Sequence, residues 1–130
     1  METLGDHFKS PVFSVDHTIS IQESAKFMRN NKSGYVLVKE GEEYVGVVTD
    51  ADFTRKVAAE SLDPKSTKIS EIMSPPLFTL DASLPMIDAN EQMGEKGVRH
   101  VSITENGKIV GMVTAQGLLA YYLKMFRFMQ

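Results

Sequence analysis

Slid against itself by 65 positions, the sequence matches without a gap, residues 11–52 lying on residues 76–117. Pro11 meets Pro76, Phe13 meets Phe78, Asp16 meets Asp81 and Met28 meets Met93. The densest stretch sets Val45-Gly46-Val47-Val48-Thr49 against Val110-Gly111-Met112-Val113-Thr114. An uninterrupted repeat of this kind means two copies of one unit, each burying its apolar face against a neighbour. Alone, a unit of roughly 55–60 residues is marginal, because too little of its surface leaves water on folding.

Both copies carry one pattern of elements. Val12–Val15 and Leu77–Leu80 read as short strands. A helix follows: Ser20-Ile21-Gln22-Glu23 is a capping box, with Ile21, Ala25 and Met28 on one face. In the second copy Met86, Ala89, Asn90 and Met93 hold those places behind Pro85. Two strands come next, Tyr35–Lys39 with Tyr44–Thr49 around Gly41, and His100–Thr104 with Lys108–Thr114 around Asn106-Gly107, a type I′ hairpin signal. A second helix closes each copy after Thr49 and Thr114. The expected fold class is α+β, tandem β-α-β-β-α repeats packed sheet to sheet about a pseudo-two-fold axis that creates two equivalent clefts. Boundaries fall at 1–61 for the first repeat, 62–68 for a linker rich in turn residues and 69–130 for the second repeat.

Composition narrows the partners. A net charge of −3 and a pI near 5.6 argue against nucleic acid, whose binding is driven by clustered Lys and Arg. With no cysteine there is no disulfide framework and no thiolate chemistry, which fits a cytoplasmic location. The first residues lack a basic and an apolar stretch, so no secretory signal is expected, and no apolar run reaches the ~20 residues of a membrane span.

Catalytic patterns are missing from the sequence. His7, His17 and His100 have no metal-ligand spacing, and no Gly-x-Ser-x-Gly nucleophile turn occurs. Gly41 to Val47 has P-loop glycine spacing without the following Lys and Ser/Thr, and reads as a hairpin turn entering a strand. Asp50 and Asp52 read as helix-start acids. No enzymatic activity, metal or obligatory cofactor is expected.

The informative stretch is Gly46-Val47-Val48-Thr49-Asp50-Ala51-Asp52. A glycine within a strand lets something approach the backbone closely. Thr49 with Asp52 is also an ordinary helix-start signature, found in proteins that bind nothing, so the residues alone leave capping and ligand binding both open.

The tandem repeat and this heptad resemble the CBS-domain pair, the cystathionine β-synthase domain arranged as a Bateman module, over about residues 4–126. In that family a Gly-hydrophobic-x-Thr-x-x-Asp segment binds the ribose and phosphate of an adenine nucleotide, and Gly46, Thr49 and Asp52 match it position by position. The chemistry suits the residues. A carboxylate accepts from both vicinal ribose hydroxyls, while a threonine hydroxyl and helix-start amides meet phosphate oxygens.

The second copy departs from the pattern, reading Gly111-Met112-Val113-Thr114-Ala115-Gln116-Gly117, with glycine where the ribose carboxylate belongs. Family architecture implies that each cleft joins the Thr/Asp of one copy to the pre-strand residues of the other. The Asp52 cleft then receives Arg99 and His100, and Leu77 with Phe78 lines an adenine pocket. The weaker cleft has Thr114, with Val12, Phe13, Gly34 and Tyr35. Arg55, three residues past Asp52, reaches either a phosphate or an exposed ion-pair partner, and Lys56 is the lesser candidate.

The resemblance thus implies a cytoplasmic sensor of AMP, ADP or ATP, the nucleotide acting as regulatory ligand and not as cofactor. The alternatives are an S-adenosylmethionine sensor and a ligand-free dimerisation or docking module. The segment Leu118–Met129, apolar on more than one face, either closes its own core or forms a homodimer interface, the resemblance favouring the homodimer, and a regulated protein partner is expected beside it.

Overall fold

The computed structural model describes residues 2–75 and 78–129, so the expectation for Leu77 lies outside the described residues. In chain order the elements are α1 (Leu4–Phe8), β1 (Ser14–Asp16), α2 (Ile21–Asn30), β2 (Tyr35–Glu40), β3 (Glu43–Thr49) and α3 (Asp50–Asp52), which runs on as a π-helical stretch, Phe53–Ala58. A 3-10 turn, Ile69–Glu71, precedes β4 (Thr79–Asp81), α4 (Met86–Lys96), β5 (His100–Glu105), β6 (Lys108–Thr114) and α5 (Ala115–Phe128). The fold is mixed α+β, with two three-stranded sheets, β1-β2-β3 and β4-β5-β6, each accompanied by helices.

Each sheet pairs its first two strands in parallel and its last two antiparallel. A helix must carry the chain between parallel neighbours, and α2 and α4 do so. The hairpins differ as their residues require. Asn106 and Gly107 both hold positive φ, 53° and 78°, as a type I′ turn demands, whereas in the first hairpin Gly41 alone does, at 63°.

Strands β1 and β4 start two residues later, and end one residue later, than the apolar runs suggested. On α2 the buried face is Ile21, Ser24 and Met28, with Ala25 half-buried. Ser24 tolerates full burial because its hydroxyl donates back to the Ser20 carbonyl at 3.2 Å. Asn90 on α4 is exposed, and Met86, Ala89 and Met93 are the inward residues.

The chain divides into two compact units, Val12–Leu77 and Met1–Pro11 with Phe78–Gln130. Residues 2–11 pack with the second sheet, and the 3-10 turn packs with the first. The stretch between is tied down as well, the Thr67 and Pro64 carbonyls accepting the first amides of α2.

The two lead segments are equivalent under the same 65-residue offset. In one unit Leu4 is fully buried, Thr3 bridges Pro85 and the Thr3 amide donates to Asp6 at 2.9 Å. In the other Ile69 is fully buried, Lys68 bridges Ser20 and the Lys68 amide donates to Glu71 at 2.9 Å. Each segment then runs beside the last strand of its sheet, Lys9 bridging Gly111 and Ser74 bridging Val47.

Candidate ligand site

Thr49 ends β3 and caps α3 with extended backbone, and Asp52 falls three residues on. The Asp52 carboxylate turns back over the helix start: its Oδ2 accepts the Thr49 amide at 2.8 Å. Its Oδ1 lies 3.2 Å from Lys56 Nζ, and the side chain keeps 16% of its surface exposed. A carboxylate offers about four acceptor positions, so two engaged contacts leave capacity for hydroxyl donors from outside. The capping reading of Asp52 therefore holds as geometry, without using up the group.

Lys56, not Arg55, is the cation that meets Asp52. Arg55 is exposed on the outer side of the π-helical stretch, whereas Lys56 also donates to the Ile72 carbonyl at 2.9 Å and to Ser74 Oγ at 3.2 Å. Gly46 of the heptad makes room for a neighbour, since a Cβ there would run into the Met73 side chain, 2.8 Å from its Cγ. Strand β3 accepts the lead segment closely because that side chain is absent.

In the other unit the same positions are built differently. Thr114 caps α5 with its hydroxyl, which accepts the Gly117 amide at 2.9 Å. A Cβ on Gly117 would lie 2.6 Å from Cε1 of Phe8, so the α1 ring occupies the space a carboxylate stem would need. At Gly111 a Cβ would strike the Phe8 carbonyl.

Of the remaining candidates in that unit, Arg99 is exposed, and its carbonyl accepts the Ala115 amide at 2.9 Å. Its side chain lines a groove of about 530 Å³ between α4 and α5, with Asn90, Leu119 and Tyr122. His100 starts β5 opposite Thr114 and is half-buried. Phe78 packs on the second core, with Lys96 Nζ 5.3 Å above its ring. In the unit of the first sheet, Val12 is half-buried, Gly34 accepts the Asp50 amide at 3.1 Å, and Tyr35 is buried. The Tyr35 hydroxyl accepts the Phe13 amide at 3.4 Å, the two rings stand 5.8 Å apart, and burial pushes the phenol above its ordinary pKa.

Among the described residues no cluster of His, Asp or Glu is arranged to hold a metal ion, and no helix is long and apolar enough to cross a membrane.

Two β-α-β-β-α units, one with a helix-start Thr/Asp motif and one with Thr/Gly in its place, define a tandem-repeat module. The family model for the CBS domain matches residues 4–59 and 69–124, again 65 residues apart, and the chain belongs to the CBS-domain family. It is 28% identical over 113 residues to the CBS domain-containing protein YhcV of Bacillus subtilis, covering 87% of this chain and 80% of that one. An uncharacterized protein of Methanopyrus kandleri, MK0525, is 31% identical over 119 residues, 90% of this chain, which spans 61% of that protein's length. A crystal structure of a conserved Pyrococcus horikoshii protein superposes with a TM-score of 0.87 at 26% identity, covering 93% of this chain and 92% of that one.

Proposed function

We propose that this chain is a non-catalytic sensor that binds an adenine nucleotide through the Asp52 half-site, AMP before ATP. The observation that carries the reading is Asp52 itself: a held, partly exposed carboxylate with acceptor positions to spare, at the position where the other copy has Gly117 closed over by Phe8. A carboxylate pre-oriented by a backbone amide loses little freedom on gripping a ribose diol, and each charge-assisted hydrogen bond contributes about 1.5–3 kcal/mol. The phosphate contact is assigned to Arg99, with His100 beside it, because a guanidinium presents a planar fork to phosphate oxygens. Binding regulates only as far as the nucleotide prefers one conformation of the module over another. A cytoplasmic location belongs to this proposal.

A second reading, a docking module with no ligand, is favoured by the Phe8 ring at Gly117 and by the exposed apolar face of α5, on which we place a homodimer contact. A thermal-shift titration with AMP, ADP, ATP and S-adenosylmethionine separates the readings. A ligand at 100 times its Kd adds about 2.7 kcal/mol of stability. Stabilisation by S-adenosylmethionine alone would replace the nucleotide, and no shift with any of the four at millimolar concentration would leave the docking module.

A further inference from the structure

Lys56 makes three contacts with one ammonium group: Asp52 Oδ1 at 3.2 Å, the Ile72 carbonyl at 2.9 Å and Ser74 Oγ at 3.2 Å. An ammonium has three protons, so each is used. Ile72 ends the 3-10 turn, where a carbonyl is left without a helical donor, and Lys56 supplies one. Two residues further on, Ser74 is hydrogen-bonded to β3 in both directions, Val47 N to Ser74 O at 2.8 Å and Ser74 N to Val47 O at 3.0 Å. The chain then leaves this unit after Leu77.

The other copy serves as an internal comparison. The counterpart of Lys56 is Tyr121, whose hydroxyl donates to Glu2 and whose ring meets His7 edge-on at 4.7 Å. That residue also holds its lead segment, but at the ribose position it finds Gly117, with nothing to grip. Anchoring of the lead segment is thus common to both copies, while a bond from the anchor to a helix-start carboxylate occurs only in the first.

We infer that Lys56 is a positioning residue that couples the Asp52 carboxylate to the Ile72–Ser74 segment, transmitting a change at Asp52 to the backbone pair that Ser74 makes with β3. This deepens the nucleotide reading and rests on it for the identity of the trigger. Lys56 holds Oδ1 by charge. When a ligand draws on that oxygen, the ammonium shifts its share of bonding to Ile72 and Ser74, and the Ser74–Val47 pair responds.

The test is amide hydrogen exchange at Val47 and Ser74 in the full chain, with Asp52→Asn placed in the native, Lys56→Met and Lys56→Arg backgrounds. Without ligand, Asp52→Asn is expected to slow exchange at both amides about fivefold when Lys56 is present, because the freed ammonium gives its bonding to Ile72 and Ser74, and the change is the size of one modest hydrogen-bond contribution. In the Lys56→Met background it should change them by less than about twofold, and Lys56→Arg should restore much of the response. An equal change in the Lys56 and Lys56→Met proteins, or faster exchange in place of slower, overturns the coupling. With AMP as probe, the native chain should gain protection at Val47 and Ser74. The Lys56→Met chain should still bind AMP without that gain, and a gain of the same size there also overturns the inference. Should AMP not bind the native chain, the nucleotide reading fails, and the ligand-free comparison still decides the role of Lys56. If Lys56→Met does not fold, Lys56→Gln takes its place in the same comparison.

Discussion

The ring of Phe8 stands where a side chain at Gly117 would begin, its Cε1 2.6 Å from an ideal Cβ. The counterpart of Phe8 is Met73, whose side chain presses instead on Gly46, and the counterpart of Gly117 is Asp52. Two copies of one fold therefore differ in what stands over the helix start. One presents a carboxylate held by Lys56, and the other an aromatic ring lying over a glycine.

Gly117→Asp should consequently be destabilising, although an acid at the third position of a helix is ordinarily favourable. The new Cβ forces the Phe8 ring aside at a cost of about 1–3 kcal/mol. Combined with Phe8→Ala, the same substitution should cost far less, and a double-mutant cycle by urea denaturation should give a coupling above about 1 kcal/mol. Additive effects would show that the ring is not what excludes a side chain there.

Much of this was legible in the sequence because the repeat and the hairpins are local. Identical residues at offset 65 and turn glycines at Gly41 and Gly107 announce themselves without tertiary information. The lead segments did not. Leu4 and Ile69, Asp6 and Glu71, Phe8 and Met73 match in kind and not in identity, so the detectable repeat stopped at Pro11. Their place is set by packing against a sheet far away in the chain, which periodicity cannot report. The choice of Lys56 over Arg55 is of the same sort, since the partners Ile72 and Ser74 are 16 and 18 residues distant. Gly46 was legible as a point of close approach, but what approaches is Met73.

Asp52→Asn and Asp52→Ala should separate the capping role from the ligand role. The amide oxygen of Asn still accepts the Thr49 amide, so that variant should lose under about 0.5 kcal/mol of stability, against about 1 for Ala. Both lose the charge. AMP affinity by calorimetry should fall about 10-fold in Asp52→Asn and about 100-fold in Asp52→Ala. Arg99→Ala should weaken AMP and leave adenosine unchanged. Unaltered AMP affinity in Asp52→Ala would leave this carboxylate as a cap alone.

Acid sensitivity should be shared by two matching turns. Asp16 accepts from the Thr18 hydroxyl and its amide, and Asp81 from the Ser83 hydroxyl and its amide, each set of bonds holding the carboxyl below the ordinary aspartate value. A depressed folded-state pKa contributes stability above the unfolded value and loses it as pH falls through the folded one. Melting temperature should thus be flat near neutrality and drop below about pH 4. The double variant Asp16→Asn with Asp81→Asn should show a shallower fall. An identical acid limb would assign it to other groups.

Tyr122 should be better as phenylalanine. Its hydroxyl is buried and has no hydrogen-bond partner among the described residues. Burial, followed by the charge of Glu91, holds the phenol above its ordinary pKa. A buried donor without an acceptor forfeits its hydration for nothing, so removing it should stabilise the chain by about 0.5–1 kcal/mol in thermal denaturation. Destabilisation by more than about 1 kcal/mol would mean that the hydroxyl finds a partner in solution.

Helix α5 carries the last expectation. Leu118 is buried in the core of its unit, while Leu119, Leu123 and Phe126 are 69%, 50% and 63% exposed. Their spacing, four and then three residues, sets them in one row on the helix, the arrangement of a face that packs against another helix. A row of three large apolar side chains left in water is unfavourable, since each fully buried one contributes about 1.5–3 kcal/mol. Under the homodimer proposal, Leu119→Glu with Phe126→Glu should raise the dimer dissociation constant at least about 100-fold by sedimentation, leaving the monomer's melting behaviour intact. Leu118→Glu, one residue away, should instead unfold the unit, because a charge there has no partner and no water. A double Glu variant that still sediments as the native protein does would place the contact between copies elsewhere.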